Sequence, residues 1–208
     1  MKIFISACVY ALMASGLVYG NGDVDERESV GGIVLGYSGE IPEDLAIRVR
    51  AFIEYHTAIP VRLTPVEMGD GESLREIGEP LNKILEPDDV FLVVFAWPDT
   101  GHEANEEHAA YLYDHEVAVI NARVLEDTDD LETYGRRLEK VAMHSVGIML
   151  GVEPVPNPRS AMFPYRTIEQ LDMMGRNYDP PSLHNVQRAA SKRGIDLMED
   201  KIRIPDRP

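Results

Sequence analysis

Two groups of residues carry the donors that chemistry needs. The first is His144-Ser145, in a stretch whose apolar residues recur at helical spacing. A neutral imidazole can ligate a metal, take up a proton or hold a hydrogen bond, and an adjacent hydroxyl suggests a nucleophile with its base. Helix geometry rejects that pairing, because neighbours at i and i+1 point roughly 100° apart. The second group is the acidic run His102-Glu103, Glu106-Glu107, His108 and Asp114-His115-Glu116, dense in oxygen and imidazole donors. There His102-Glu103 with Glu106 imitates a His-Glu-x-x-His motif with a carboxylate in place of the second histidine. Its flanks, Asp99-Thr100-Gly101 and Asn105, make it read as a solvated loop. Glu153 and His184 are further donors downstream, and Cys8 is the single cysteine. No thiol nucleophile, disulfide or cysteine-bound metal is available beyond Cys8.

A longer register sharpens the first group. Zinc peptidases of one large class place His, Glu and His at i, i+1 and i+4 of a helix, so that both imidazoles face the metal. A glycine three residues on ends the helix, and a third ligand follows three positions later, while the glutamate deprotonates the metal-bound water. Laid on His144, that pattern puts the general base at Ser145, the second ligand at Ile148, the turn glycine at Gly151 and the third ligand at Pro154.

With this register, Leu138 to Met162 resembles the archaemetzincins, whose signature is HExxHxxGxxHCx4CxMx17CxxC. The signature's methionine falls on Met162, and its four cysteines, which in the family bind a structural zinc, fall on Val155, Ser160, Pro180 and Leu183. No insertion or deletion is needed. Upstream, an apolar strand ending at Trp97-Pro98-Asp99 and the run VAVINARVL before the helix are similar in kind, so the resemblance spans Gly31 to about Arg193. It implies an α/β zincin fold: a mixed sheet with packed helices, a long active-site-type helix, and an irregular C-terminal subdomain with a Met-turn at Met162. It also implies that His144 is a vestigial ligand, that Ile148 and Pro154 are vacated ligand positions, and that the structural-zinc positions are vacated too. No cofactor is then expected, unless zinc occupies a non-standard site built from His144, Glu153 and His184, or from the His102 to Glu116 cluster.

The elements that must position these residues follow from periodicity. Gly31 to Tyr37 reads as a buried strand, Pro42 to Tyr55 as an amphipathic helix, and Val61 to Val66 as an edge strand because Pro65 cannot donate to a ladder. Glu72 to Leu85 reads as a second helix, and Asp89 to Trp97, apolar throughout, as the central strand. A polar region follows, then a strand over Glu116 to Val124 and a long helix from about Asp130 to Leu150. Short helices are expected near Ile168 to Met174 and Leu183 to Arg193, and the basic end from Lys192-Arg193 onward reads as solvated.

At 208 residues the chain suits one domain, and its 36 acidic against 20 basic residues give a formal net charge of −16. Such charge disfavours nucleic acid and anionic membranes as partners. Lys2 followed by the apolar Ile3 to Ala14 and small residues up to Gly20 predicts a signal peptide over residues 1–20, hence a secreted or periplasmic protein. Residues 21–30 are expected to be a flexible leader, 31–195 the archaemetzincin-like domain, and 196–208 a C-terminal tail. The functional expectation is a secreted pseudoprotease without peptidase activity, its cleft kept as scaffold or for an unknown protein or peptide laid along Glu116 to Val124 as an added strand. The competing expectation is a metal-dependent hydrolase with a rebuilt site.

Overall fold

A computed structural model describes residues 31–69, 71–98, 107–126 and 130–199. The expected signal peptide and leader, and the tail beyond residue 199, lie outside the described residues. The described part is a mixed α/β structure. Five strands, β1 (Gly32–Tyr37), β2 (Val61–Pro65), β3 (Asp89–Ala96), β4 (Ala109–Leu112) and β5 (Val117–Asn121), form one sheet in the order β2-β1-β3-β5-β4. The first four in that order run parallel, and β4 is antiparallel to β5.

Alternation along the strands builds two cores. Ile33, Leu35, Phe91, Val93, Phe95, Ala118 and Ile120 face α1 (Glu43–Thr57) and the long helix α4 (Leu131–Met149). Val34, Leu92, Val94, Val117 and Val119 face α2 (Leu74–Gly78) and the 3₁₀ turns after it. Two short helices, α3 (Ala122–Leu125) and α5 (Ile168–Met173), and the terminal α6 (Pro180–Lys192) complete the set. Among the described residues no helix is long and apolar enough to cross a membrane.

Four expectations change. The helix expected over Glu72 to Leu85 ends at Gly78 and continues as 3₁₀ structure over Glu79–Ile84, where Pro80 removes an amide donor from the α-ladder. The strand expected over Glu116 to Val124 stops at Asn121, whose side chain accepts from the Val124 amide and starts a helical turn. The polar region before it contains β4, a fifth strand. Because β4 covers the flank of β5, the Glu116 to Val124 segment is internal and cannot receive an added strand; among the described residues β4 is the edge strand on that side. Finally, Arg193 is not a solvated end. Its guanidinium donates to Met149 O at 2.9 Å, Val90 O at 3.3 Å and Glu116 Oε2 at 2.7 Å, and lies over the Phe91 ring.

Asp130 starts α4 by accepting from the Glu132 and Thr133 amides. The helix ends in a Schellman arrangement: Val152 N donates to Gly147 O and Gly151 N to Ile148 O, both at 2.9 Å. Gly151 carries the required positive φ of 74°, which a side chain would strain.

Candidate functional site

The face of α4 that carries His144 is held by buried polar contacts, not by packing alone. Glu139, 2% exposed, accepts from Arg48 at 2.7 Å and from Arg176 at 2.8 Å. Arg137 grips the Asp172 carboxylate at 2.9 and 2.7 Å, and Lys140 Nζ donates to the carbonyls of Leu171 and Asp172. These bonds pin α1, α5 and the Arg176 loop onto the helix. They also fix the chain that runs between Gly151 and α6 against its inner surface.

That chain makes a tight turn at Met162. Phe163 N donates to Ser160 O at 3.1 Å, Met162 N to Ser160 Oγ at 3.2 Å, and Val155 N to Met162 O at 3.0 Å. Met162 is fully buried, and a Cβ added at Gly147 would overlap its sulfur. The turn therefore presses directly on α4, one residue before Ile148. Tyr178, also buried, donates to Met143 O from behind the turn.

His144 completes the same junction. Its Nδ1 lies 2.8 Å from Ala161 O, and since a carbonyl only accepts, the ring proton sits on Nδ1. Nε2 is then the acceptor of a ring that lines an open cleft of about 340 Å3 with Glu107, His108, Ala109, Tyr111, Tyr165 and Arg166. Burial pushes the His144 pKa below the ordinary histidine value, opposed by the bond to Ala161; burial does the same to His108. Both imidazoles are neutral at pH 7. Tyr165 stands between them, stacked on His108 with centroids 5.5 Å apart and edge-on to His144 at 5.4 Å.

Ser145, at the position expected for the general base, is fully buried, and its hydroxyl lies 3.3 Å from that of Tyr111 on β4. Burial pushes the Tyr111 phenol up to about 12, so it stays protonated. A hydroxyl pair thus occupies the place where a carboxylate would be needed. Ile148 is half-buried against the core, Pro154 is exposed, and neither side chain holds a donor atom.

Of the alternative metal sets, the one built from His144, Glu153 and His184 does not assemble. Glu153 and His184 are exposed while His144 is buried, and among the described residues no three His, Cys, Asp or Glu side chains converge as a metal group. His108 does reach the His144 cleft, the one described member of the acidic run to do so together with Glu107. His102, Glu103 and Glu106 lie outside the described residues. A catalytic zinc takes three protein ligands and a water; the register supplies one imidazole. The residues of that register do not fit that metal.

The four positions that the resemblance assigns to structural-zinc cysteines are held by hydrogen bonds and packing. Ser160 is fully buried and accepts from the amides of Met162 and Asp179. Val155 and Leu183 are half-buried apolar contacts on the main core, and Pro180 opens α6 behind its Asp179 cap.

Tyr111 and Tyr165 were not among the residues singled out in the sequence. Tyr165 follows Met162 by three positions, the one sequence signal that could have found it. Tyr111 sits in the apolar quartet AAYL inside a polar run, a weak strand signal.

Comparison with known proteins places this geometry. Neither protein-family models nor curated proteins match the sequence. Solved structures do. The archaemetzincin of Methanopyrus kandleri is 16% identical over 77% of this chain and 97% of that one, with a TM-score of 0.65. A zinc-dependent peptidase from Methanocorpusculum labreanum is 16% identical over 74% of this chain and 100% of that one, TM-score 0.62. The archaemetzincin of Archaeoglobus fulgidus, solved with malonate, is 16% identical over 73% and 98%, TM-score 0.56. The chain resembles the archaemetzincins and has their fold.

Proposed function

We propose that this chain is a pseudoprotease on the archaemetzincin fold, an exported protein whose cleft binds an extended peptide and does not hydrolyse it. The observation that carries the reading is the state of the ligand register. His144 keeps the hydrogen bond from Nδ1 to a backbone carbonyl that orients a metal-binding imidazole, yet no second ligand of the register accompanies it. Ile148 and Pro154 bring no donor, and the Ser145–Tyr111 hydroxyl pair cannot deprotonate water at neutral pH. What remains is shape: the Schellman end at Gly151, the Met162 turn beneath Gly147, which we read as a Met-turn, and an open cleft beside a free strand edge.

The peptide in this reading lies along β4, the sheet edge that borders the cleft, in place of the internal segment expected from the sequence. Main-chain pairing at the edge supplies affinity, and side chains entering the cleft supply selectivity. The test is hydrolysis of a mixed peptide library, read by mass spectrometry with added zinc and with chelator. No chelator-sensitive cleavage is expected; cleavage abolished by chelator and by His144→Ala would sink the reading. Export is tested by N-terminal sequencing of the protein recovered outside the cytoplasm, with processing after Gly20 expected and an intact Met1 opposing it.

A further inference from the structure

We infer that the partner of the β4 edge is a peptide strand with basic residues at both ends, a class of ligand that rests on the peptide-binding reading above. The two edges of the sheet differ. On β2, Pro65 removes a donor and Arg62 is tied to Asp89, the features by which proteins discourage strand addition. On β4 the sequence is Ala109-Ala110-Tyr111-Leu112, with no charge and no proline. The β2 edge is blocked, and among the described residues no strand pairs with the outer side of β4.

The ladder fixes which groups of β4 are available. His108 O accepts from Asn121 N, and the register runs through Ala110 opposite Val119 and Leu112 opposite Val117. In an antiparallel pair bonded and non-bonded positions alternate. Ala110 and Leu112 therefore turn their amides and carbonyls to β5, and Ala109 and Tyr111 turn theirs outward. Ala109 and Tyr111 also line the cleft, so a strand bonded to them lies over His144 and Tyr165.

Charge selects the occupant. Exposed Glu107 stands just before β4 and exposed Asp114 just after it, beside Tyr113, a residue 59% exposed. An arginine at each end of an incoming strand meets a carboxylate, and at the Asp114 end a ring face as well. The core between those ends spans about four to five residues at roughly 3.3 Å each. Arg166 lines the same cleft as Ala109, Tyr111, His144 and Tyr165, so apolar side chains fit in the middle and cationic ones at the two carboxylate ends. A second copy of the chain fits poorly. Two-fold pairing through Ala109 and Tyr111 would bring Glu107 of one copy next to Tyr113-Asp114 of the other, between molecules of formal charge −16 each. The net charge attracts a basic peptide over distance and repels an identical chain.

The experiment measures fluorescence anisotropy of labelled eight-residue peptides on the full chain. Each has an Ala-Val-Tyr-Val core, with two arginines at each end or two glutamates at each end. The basic peptide is expected to bind about tenfold more tightly, the worth of two rim ion pairs, with the advantage shrinking in high salt. Exchanging the charges in the double variant E107K and D114K should erase or invert the preference. Ala109→Pro, which removes an outward amide and leaves the β5 ladder intact, should abolish binding of both peptides. Equal binding of the two peptides, or an unchanged preference in the charge-exchanged variant, overturns the basic-peptide assignment and leaves the β4 cleft reading in place. No binding by either peptide, or unchanged binding with Ala109→Pro, overturns docking on β4 itself.

Discussion

Replacing Gly147 by alanine tests whether the Met162 turn bears on the helix. Gly147 lies within α4, where alanine ordinarily stabilises by about 1 kcal/mol. Here the new methyl would overlap the Met162 sulfur, and Met162 is fully buried, with Tyr178 also within reach of the added carbon. Overpacking of this kind costs about 1–3 kcal/mol, so the net effect is a loss of up to about 2 kcal/mol. For a domain of this size each kcal/mol lowers Tm by about 2–4 °C. Met162→Ala alone should cost about 2–5 kcal/mol through the cavity it leaves. In that background the clash is gone and the methyl introduced by Gly147→Ala helps to fill the space, so the same glycine substitution should stabilise by about 1 kcal/mol or more. Urea denaturation of the four proteins reads the sign in each background. If Gly147→Ala stabilises whether or not Met162 is present, the turn does not press on the helix and the cleft geometry derived from it is wrong.

Two further predictions concern stability. His56, His108 and His144 all have pKa values lowered chiefly by burial, so the folded state prefers them neutral and the unfolded state takes up protons first as pH falls. Their contribution is complete above about pH 6.5 and is lost as pH drops below it. Tm should be flat between pH 7 and 8 and fall from pH 6.5 to 5, with a shallower fall in the double variant His108→Asn, His144→Asn; an unchanged slope in that variant contradicts the assignment. Arg193→Ala should cost about 1–3 kcal/mol in urea denaturation, because two carbonyls and Glu116 lose their donor together. Arg193→Lys should recover only part, since an ammonium lacks the planar fork. A loss under about 0.5 kcal/mol for Arg193→Ala would return Arg193 to the solvated surface.

Much of the scaffold was legible because local signals and tertiary demands agree. Phe91 to Ala96 is apolar at every position and is the central strand, buried on both faces. The periodic run before Leu150 forms α4, with Asp130 and Gly151 as its end signals. The failures have local causes as well. Pro80 broke an otherwise good helical pattern, and Asn121 diverted a strand into a capped turn. Four apolar residues at Ala109–Leu112 are too short a run to announce a strand inside a polar region, so in sequence the sheet edge reads as β5. For the candidate site, the sequence register brought out His144, Ser145, Ile148 and Met162. It could not show that Tyr165 stands between His108 and His144, or that Tyr111 reaches Ser145. Those neighbours are distant in the chain, 34 residues apart for Tyr111 and Ser145, and only the folded sheet brings them together. Arg193 reads as solvated in sequence for the same reason: its three partners come from β3, α4 and the turn before β5.

The central claim is that the cleft keeps its form while lacking the donors for zinc. Isothermal titration of zinc into the chain, beside the triple variant S145E, I148H and P154H, tests it most directly. No saturable site involving His144 is expected in the parent, and one equivalent of zinc is expected to bind the variant. One equivalent of zinc bound by the parent and lost on His144→Ala would contradict it.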